Sequence, residues 1–487
     1  MRRNLRYIKE ERGKAMTFSS VLFLHVFFAA LFVCYFGPWV KRRETKNLVL
    51  LIFSLGFYAC GGLAYFPLIL ASIGINYLFG RLVGGRSDAK RKKLLLTVAV
   101  TLNLLLLFCF KYLGFLTENL NLLIQSLPVL EIVLPIGISF YTFQGLSYVV
   151  DVYRGDAAAE KSLVRVALYI ALFPQLVAGP IVRYTTVAHE IGERQESWDE
   201  AYAGTVRFLL GFAKKILLAN PLGEMADAAF AQSGDLLTVG LAWLGAIAYT
   251  GQIYFDFSGY SDMAIGLGRV FGFHFLENFN YPYISKSVTE FWRRWHISLS
   301  SWFRDYVYIP LGGNRGSRAF QIRNLAVVWM LTGIWHGAEW TFVLWGVYYA
   351  LLLIGERYCW GAALKKSPAA LQHLYAMILV IFGWVIFRAP TLAGGWNYAR
   401  AMLGLSGAPI WSGQATFLLL QYWPELLLGL GFSLPLLPCA KAWVEKKGGA
   451  LSRAAGLTAP AVLLMLAGLA YISLLSSGFN PFIYFQF

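Results

Sequence analysis

Two of the six histidines in this 487-residue chain stand among neighbours that could put an imidazole to use. His336 lies in "MLTGIWHGAEWTFVLWG" (330–346), within the apolar run 324–355, between Trp335 and Gly337 and shortly before Glu339. An ionisable group sunk in such a run is costly, faces a partner or a cavity, and is a functional candidate for that reason. An imidazole titrates near neutrality, so it can take a proton from a hydroxyl and give it back. Gly333 and Gly337 would leave one helix side thin enough for a substrate to approach. Thr332 and Glu339, about one turn to either side, would orient the ring. A structural histidine bonded across helices fits the same spacing.

His296 sits in "FWRRWHISLS" (291–300), beside Arg293 and Arg294. Read as one helix from Ser287 to Asp305, this segment places Phe291, Trp295, Leu299 and Trp302 on a single face, with Glu290 and Arg294 paired on another. That pattern describes a helix lying in or dipping into a membrane interface. The two arginines are candidates for holding a phosphate or carboxylate, although arginines at a membrane surface also pair with lipid. Asp256 and Asp262, in "YFDFSGYSDMAIG" (253–265), read as a helix break with an N-cap. The remaining histidines, His25, His189, His274 and His373, read as satisfied or solvated side chains. No metal site is expected. The five cysteines are scattered, with no CxxC, and read as small buried residues rather than disulfide or zinc ligands.

The elements that must position these groups are set by composition. The chain is 58% hydrophobic and only 14% charged, far below the roughly 25% of a typical soluble domain. Its net charge of +16 comes largely from short basic loops such as "KRRETK" (41–46), "GGRSDAKRKK" (84–93) and "AKAWVEKKGGALSR" (440–453). Those are cytoplasmic loops under the positive-inside rule, so the expected partner is a lipid bilayer and not nucleic acid. Apolar runs near 18–40, 47–62, 64–83, 94–112, 130–150, 163–182, 204–219, 236–257, 324–355, 371–388, 414–436 and 456–476 suggest an all-α, polytopic, multi-pass membrane protein with 11–13 transmembrane helices. Residues 1–15 form a basic extension, 16–476 one membrane domain and 477–487 an aromatic tail. If Met16 starts outside the cytoplasm, the loops at 41–46, 81–93 and 151–162 all fall inside, the first two strongly basic, though the basic residues 1–15 argue for the opposite orientation.

Three stretches together, "YFDFSGYSDMAIG", "NFNYPYISKSVTEFWRRWHISLSSWFRDYVYIPLGGNRG" and "LTGIWHGAEWTFVLWG", resemble the membrane-bound O-acyltransferase (MBOAT) family. The likeness is densest at 249–356 and is closest to the branch of alginate and peptidoglycan O-acetyltransferases. "LPIGISFYTFQGLSYVVDVYRG" (134–155) and "FPQLVAGPIVR" (173–183) also resemble that branch, while the teichoic-acid D-alanylation member shares less around "IPLGGNRG". The resemblance implies a funnel-shaped ring of helices with interfacial and re-entrant segments. It implies His336 as the catalytic residue and His296 as a second histidine at the tunnel wall; Arg293, Arg294, Trp335, Glu339 and Asp256, nearby in these segments, are taken as candidate donor-binding or tunnel residues. It further implies an acyl thioester such as acetyl-CoA as donor, no bound cofactor, and placement in the cytoplasmic (inner) membrane. The expected partner is an extracytoplasmic SGNH-type acyltransferase with a serine nucleophile.

The chain ends "SGFNPFIYFQF", by composition an aromatic anchor at the membrane interface. "FIYFQF" also resembles the C-terminal motif of a small partner in D-alanylation systems, where a tyrosine receives the acyl group, which makes Tyr484 a candidate acyl relay. Two other readings remain open on sequence. A transporter or channel would also have broken spans and intramembrane charge, and a scaffold would recruit the partner while chemistry happens elsewhere.

Overall fold

The computed structural model describes residues 16–124, 128–130, 132–177, 179–477 and 482–483. The basic extension 1–15 and Tyr484 lie outside the described residues. Every regular element among them is helical, as expected for a chain whose backbone must satisfy its own hydrogen bonds in lipid. The described residues divide into two compact units: those of 16–208 and 261–276 in unit one, and those of 209–260 and 277–483 in unit two.

Six helical stretches among the described residues are long and apolar enough to cross a membrane: Leu63–Gly84 and Ala89–Lys111 in unit one, and Trp340–Lys366, Ala369–Arg388, Gly413–Phe432 and Gly449–Ser476 in unit two. This is half the number of apolar runs. The others resolve into different objects. The 130–150 run becomes helix Ile138–Arg154, buried along nearly its whole length within the protein, so its hydrophobicity serves protein packing rather than lipid. The 163–182 run breaks into Leu163–Ala171 and the single turn Phe173–Leu176.

In unit one, the antiparallel pair Leu63–Gly84 and Ala89–Lys111 is pinned by a reciprocal amide clasp. Asn76 Nδ2 donates to Asn103 Oδ1 at 3.0 Å, and Asn103 Nδ2 donates to Asn76 Oδ1 at 3.1 Å, both fully buried. Such pairs hold helices together where hydrophobicity cannot. A second anchor surrounds Arg194, whose guanidinium donates to Asn47 Oδ1 (2.6 Å), the Tyr35 hydroxyl (3.0 Å) and the Phe271 carbonyl (3.0 Å). Next to it, Glu196 accepts from Arg43, from Lys46 at 3.2 Å and from the Tyr35 hydroxyl. Burial works to raise the Glu196 pKa, but the hydrogen bonds from Arg43 and Tyr35 outweigh it and hold the carboxyl at about 2 rather than its usual 4.5. Because the folded value is depressed, the contribution is complete above the ordinary carboxylate pKa and is lost as pH falls from there toward 2. Thermal unfolding from about pH 6 down to about pH 3 should therefore show a steeper loss in wild type than in Glu196→Gln. Equal slopes would contradict the assignment.

Six helices carry or enclose the two candidate histidines in unit two: α1 (Val239–Val270, its last turns from Ser261 belonging to unit one), α2 (Val288–Arg294), α3 (Ile297–Phe303), α4 (Arg318–His336), α5 (Trp340–Gly355) and α6 (Ala369–Arg388). The apolar run 324–355 is thus two helices rather than one span. Likewise Asp256 and Asp262 do not mark a helix break, since both lie inside the unbroken α1.

Candidate active site

The segment around His296 begins as the sequence suggests and then departs from it. Ser287 caps α2 by accepting from the Glu290 amide at 3.0 Å, while the Glu290 carboxylate accepts from the Lys286 amide at 3.0 Å, a capping-box arrangement shifted by one residue. Arg294 meets Glu290 at 2.9 Å, as the i,i+4 spacing requires. Phe291, Trp295, Leu299 and Trp302 are all buried. The helix does not continue to Asp305, however. It stops at Arg294, and a second short helix starts at Ile297, with His296 between them at φ 46°, ψ 53°. This left-handed conformation is uncommon outside glycine, and surrounding bonds must hold it in place.

Those bonds come from Asn278, to which sequence reasoning gave no role. Its backbone carbonyl accepts from the Ile297 amide at 3.0 Å, and the Asn280 amide donates to the Arg294 carbonyl at 2.9 Å, so extended residues 278–280 run beside the kink. The Asn278 Oδ1 accepts from the Ser298 amide (3.2 Å), the Ser298 hydroxyl (2.9 Å) and His296 Nδ1 (3.1 Å). An oxygen that already accepts from a backbone N–H is a carbonyl, so His296 Nδ1 must be the donor. The ring is thereby fixed with its lone pair on Nε2. That nitrogen is buried and has no hydrogen-bond partner among the described residues. Only an asparagine at a particular place in space, not at a particular sequence interval, could have revealed this.

His336 is the last residue of α4, with Gly337 extending away at φ −169°. The chain turns through 337–339 and re-enters helix at Trp340. Its ring sits against Trp335 (4.9 Å between centroids), Trp345 (5.1 Å) and Phe387 (5.2 Å), contributed by α4, α5 and α6. Trp335 is also 6.1 Å from His296, which meets Phe257 of α1 edge-to-face at 4.7 Å. The two imidazoles therefore flank one indole in a single, almost solvent-free aromatic cluster, His336 being 5% and His296 1% exposed.

The residues expected to assist His336 are placed differently. The thin side at Gly333 and Gly337 is not open to substrate. A Cβ at Gly333 would lie 2.3 Å from the Phe342 carbonyl oxygen and 3.1 Å from the Gly346 Cα, and one at Gly337 would lie 2.2 Å from the Phe342 ring. These glycines let α5 close tightly on α4. Thr332 spends its hydroxyl on the Val328 carbonyl, at 2.8 Å, and Glu339 is exposed at the start of α5. Arg293 is exposed, and Arg294 is committed to Glu290 and to the Asn280 carbonyl (3.1 Å). Asp256 is 1% exposed and bonded to Lys215 at 2.6 Å.

Glu356 was not anticipated. This buried carboxylate follows α5 and accepts from the amides of Val288 (2.6 Å) and Thr289 (2.8 Å) and from the Thr289 hydroxyl (2.5 Å). It thus caps α2 from the far end of the helix that begins just after His336, joining the two histidine-bearing segments through one side chain. The other four histidines have partners of their own: His25 the Val21 carbonyl, His189 Glu193, His274 Glu190 and His373 the Ser285 carbonyl.

The family model described as "MBOAT, membrane-bound O-acyltransferase family" matches residues 156–396. A protein of Azotobacter vinelandii described as "Probable alginate O-acetylase AlgI" is 41% identical over 97% of this chain and 100% of its own length. The peptidoglycan O-acetyltransferase of Helicobacter pylori is 33% identical over 81% of each chain. The teichoic acid D-alanyltransferase of Bacillus subtilis is 30% identical over 52% of this chain and 67% of its own.

Proposed function

The chain belongs to the membrane-bound O-acyltransferase family, and from that premise we propose that it takes an acetyl group from a cytoplasmic thioester, acetyl-CoA, and passes it across the inner membrane toward a hydroxyl of a cell-envelope polysaccharide. It is a multi-pass membrane enzyme, an O-acyltransferase. The named O-acetyltransferase relatives match far more of the chain than the D-alanyltransferase does, which favours acetyl over D-alanyl. The observation that carries the reading is the pair of buried imidazoles about Trp335, one at a helix terminus and one with its tautomer fixed.

In this reading His336 is the general base. It removes the acceptor hydroxyl proton as that oxygen bonds to the thioester carbonyl carbon. The C–S bond then breaks, and the imidazolium returns the proton to the leaving thiolate. The partial negative charge at the C-terminus of α4 stabilises positive charge developing on the ring. His296 presents its Nε2 lone pair to a hydroxyl and positions it. Trp335 lies against both rings.

The first acceptor is the Tyr484 phenol, whose acetyl ester then passes to the serine of an extracytoplasmic SGNH-type partner. Mass spectrometry after incubation with isotopically labelled acetyl-CoA should find label on Tyr484 in wild type. Its absence, together with full activity of Tyr484→Phe, would leave the tail an anchor. In cells, His336→Ala should abolish polymer acetylation, whereas a scaffold that only recruits the partner would retain it.

A further inference from the structure

We propose that the buried Asp256–Lys215 pair is the receptor for this chain's own C-terminal segment. The ion pair is 2.6 Å long, and the two side chains are 1% and 3% exposed. Taking two charges this far from water is costly and is not by itself a source of stability, so an ion pair in this position calls for a role. Lys215 lies in a π-helical stretch, Lys214–Ala219, a distortion that is rare and frequent at functional sites. Its backbone comes close to α1 because Gly259 has no side chain there: a Cβ would sit 3.3 Å from the Lys215 amide nitrogen and 2.8 Å from the Gly211 carbonyl oxygen.

What the pair holds is visible. The Ile483 backbone amide donates to Asp256 Oδ2 at 2.9 Å, while Lys215 takes the other carboxylate oxygen. One turn further along α1, on the same face, Tyr260 stacks on Phe482 with centroids 4.5 Å apart and an interplanar angle of 27°. Phe482 and Ile483 are each only 6% exposed. A charge-assisted bond to the main chain and a ring stack on the neighbouring residue fix both the position and the direction of the segment. The bond to a backbone N–H tolerates any residue except proline at 483, so selectivity rests on the aromatic at 482.

This docking deepens the acetyl-transfer reading, since a held tail is what would bring Tyr484 to a fixed place, but it stands on its own contacts. The test uses the full-length purified protein, limited digestion with a broad-specificity endoprotease such as proteinase K, and intact-mass readout of the loss of the C-terminal segment. Removing either charge alone would leave the other buried and unpaired, so the informative variant is Lys215→Met with Asp256→Leu. Similar-volume apolar replacement of a buried pair is commonly tolerated. Ile483→Pro removes the amide donor while leaving the pair intact. Both should release residues 482–483 at least about tenfold faster than wild type, with unchanged thermal unfolding, and Tyr260→Leu should give a smaller increase. Wild-type release rates in both the double variant and Ile483→Pro would overturn the proposal. Faster release with unchanged acetyl transfer would uphold the docking and refute the relay.

Discussion

Replacing His336 with alanine is expected to lower kcat for acetyl transfer by ~10³-fold, with the KM for acetyl-CoA nearly unchanged and thermal unfolding little altered. General-base catalysis typically contributes 10²- to 10⁴-fold, and each factor of ten corresponds to about 1.4 kcal/mol of barrier. A kcat-specific loss is the signature of a group acting in the transition state rather than in binding. The ring lies at the end of α4, bounded by Trp335, Trp345 and Phe387, so truncation removes contacts at a terminus and leaves the helix interior whole. A structural histidine would behave in the reverse way, losing stability and KM together. Steady-state kinetics and a melting curve on the same preparation separate the two.

The second large effect concerns the seam that holds His336 in place. Gly333→Val should destabilise the protein by about 3 kcal/mol or more, the upper range for overpacking, because its Cβ would fall 2.3 Å from the backbone carbonyl oxygen of Phe342. A backbone atom cannot swing aside as a side-chain tip can, so α4 and α5 must part, and His336 moves with them. Gly56→Ala, whose Cβ would meet nothing within 4 Å, is the matched control. It should be neutral or stabilising by about 0.4–1 kcal/mol. Detergent-solubilised yield and melting temperature report both. A Gly333→Val protein that melts like wild type would mean that the two helices are not in contact there.

The membrane class, the all-helical architecture and the segment bearing both histidines were legible in the sequence because each depends on composition or on local spacing. Where each apolar run is buried was not, because such a run does not say whether lipid or protein does the burying. Ile138–Arg154 is apolar because other helices surround it. The glycines beside His336 were legible as a thin helix side but not as a closed one, since only the fold brings Phe342 and Gly346 against them. The break at 337–339 carries no proline; Gly337 just past His336 is a helix-stop signal, here read only as a thin helix side. Asn278, Glu356 and the Asp256–Ile483 bond each join residues far apart in sequence. No periodicity encodes such pairs. The site's aromatic and imidazole content was therefore readable, and the polar side chains that orient it were not.

The central claim is that thioester cleavage takes place at His336. Purified wild-type and His336→Ala proteins, reconstituted in vesicles and given acetyl-CoA labelled in the acetyl group, should be compared for free CoA released against label retained. The account predicts that wild type releases CoA in step with acetyl transfer and that the variant releases CoA ~10³-fold more slowly. Release of CoA at an equal rate by the variant would contradict it, as would label crossing the membrane with its thioester intact.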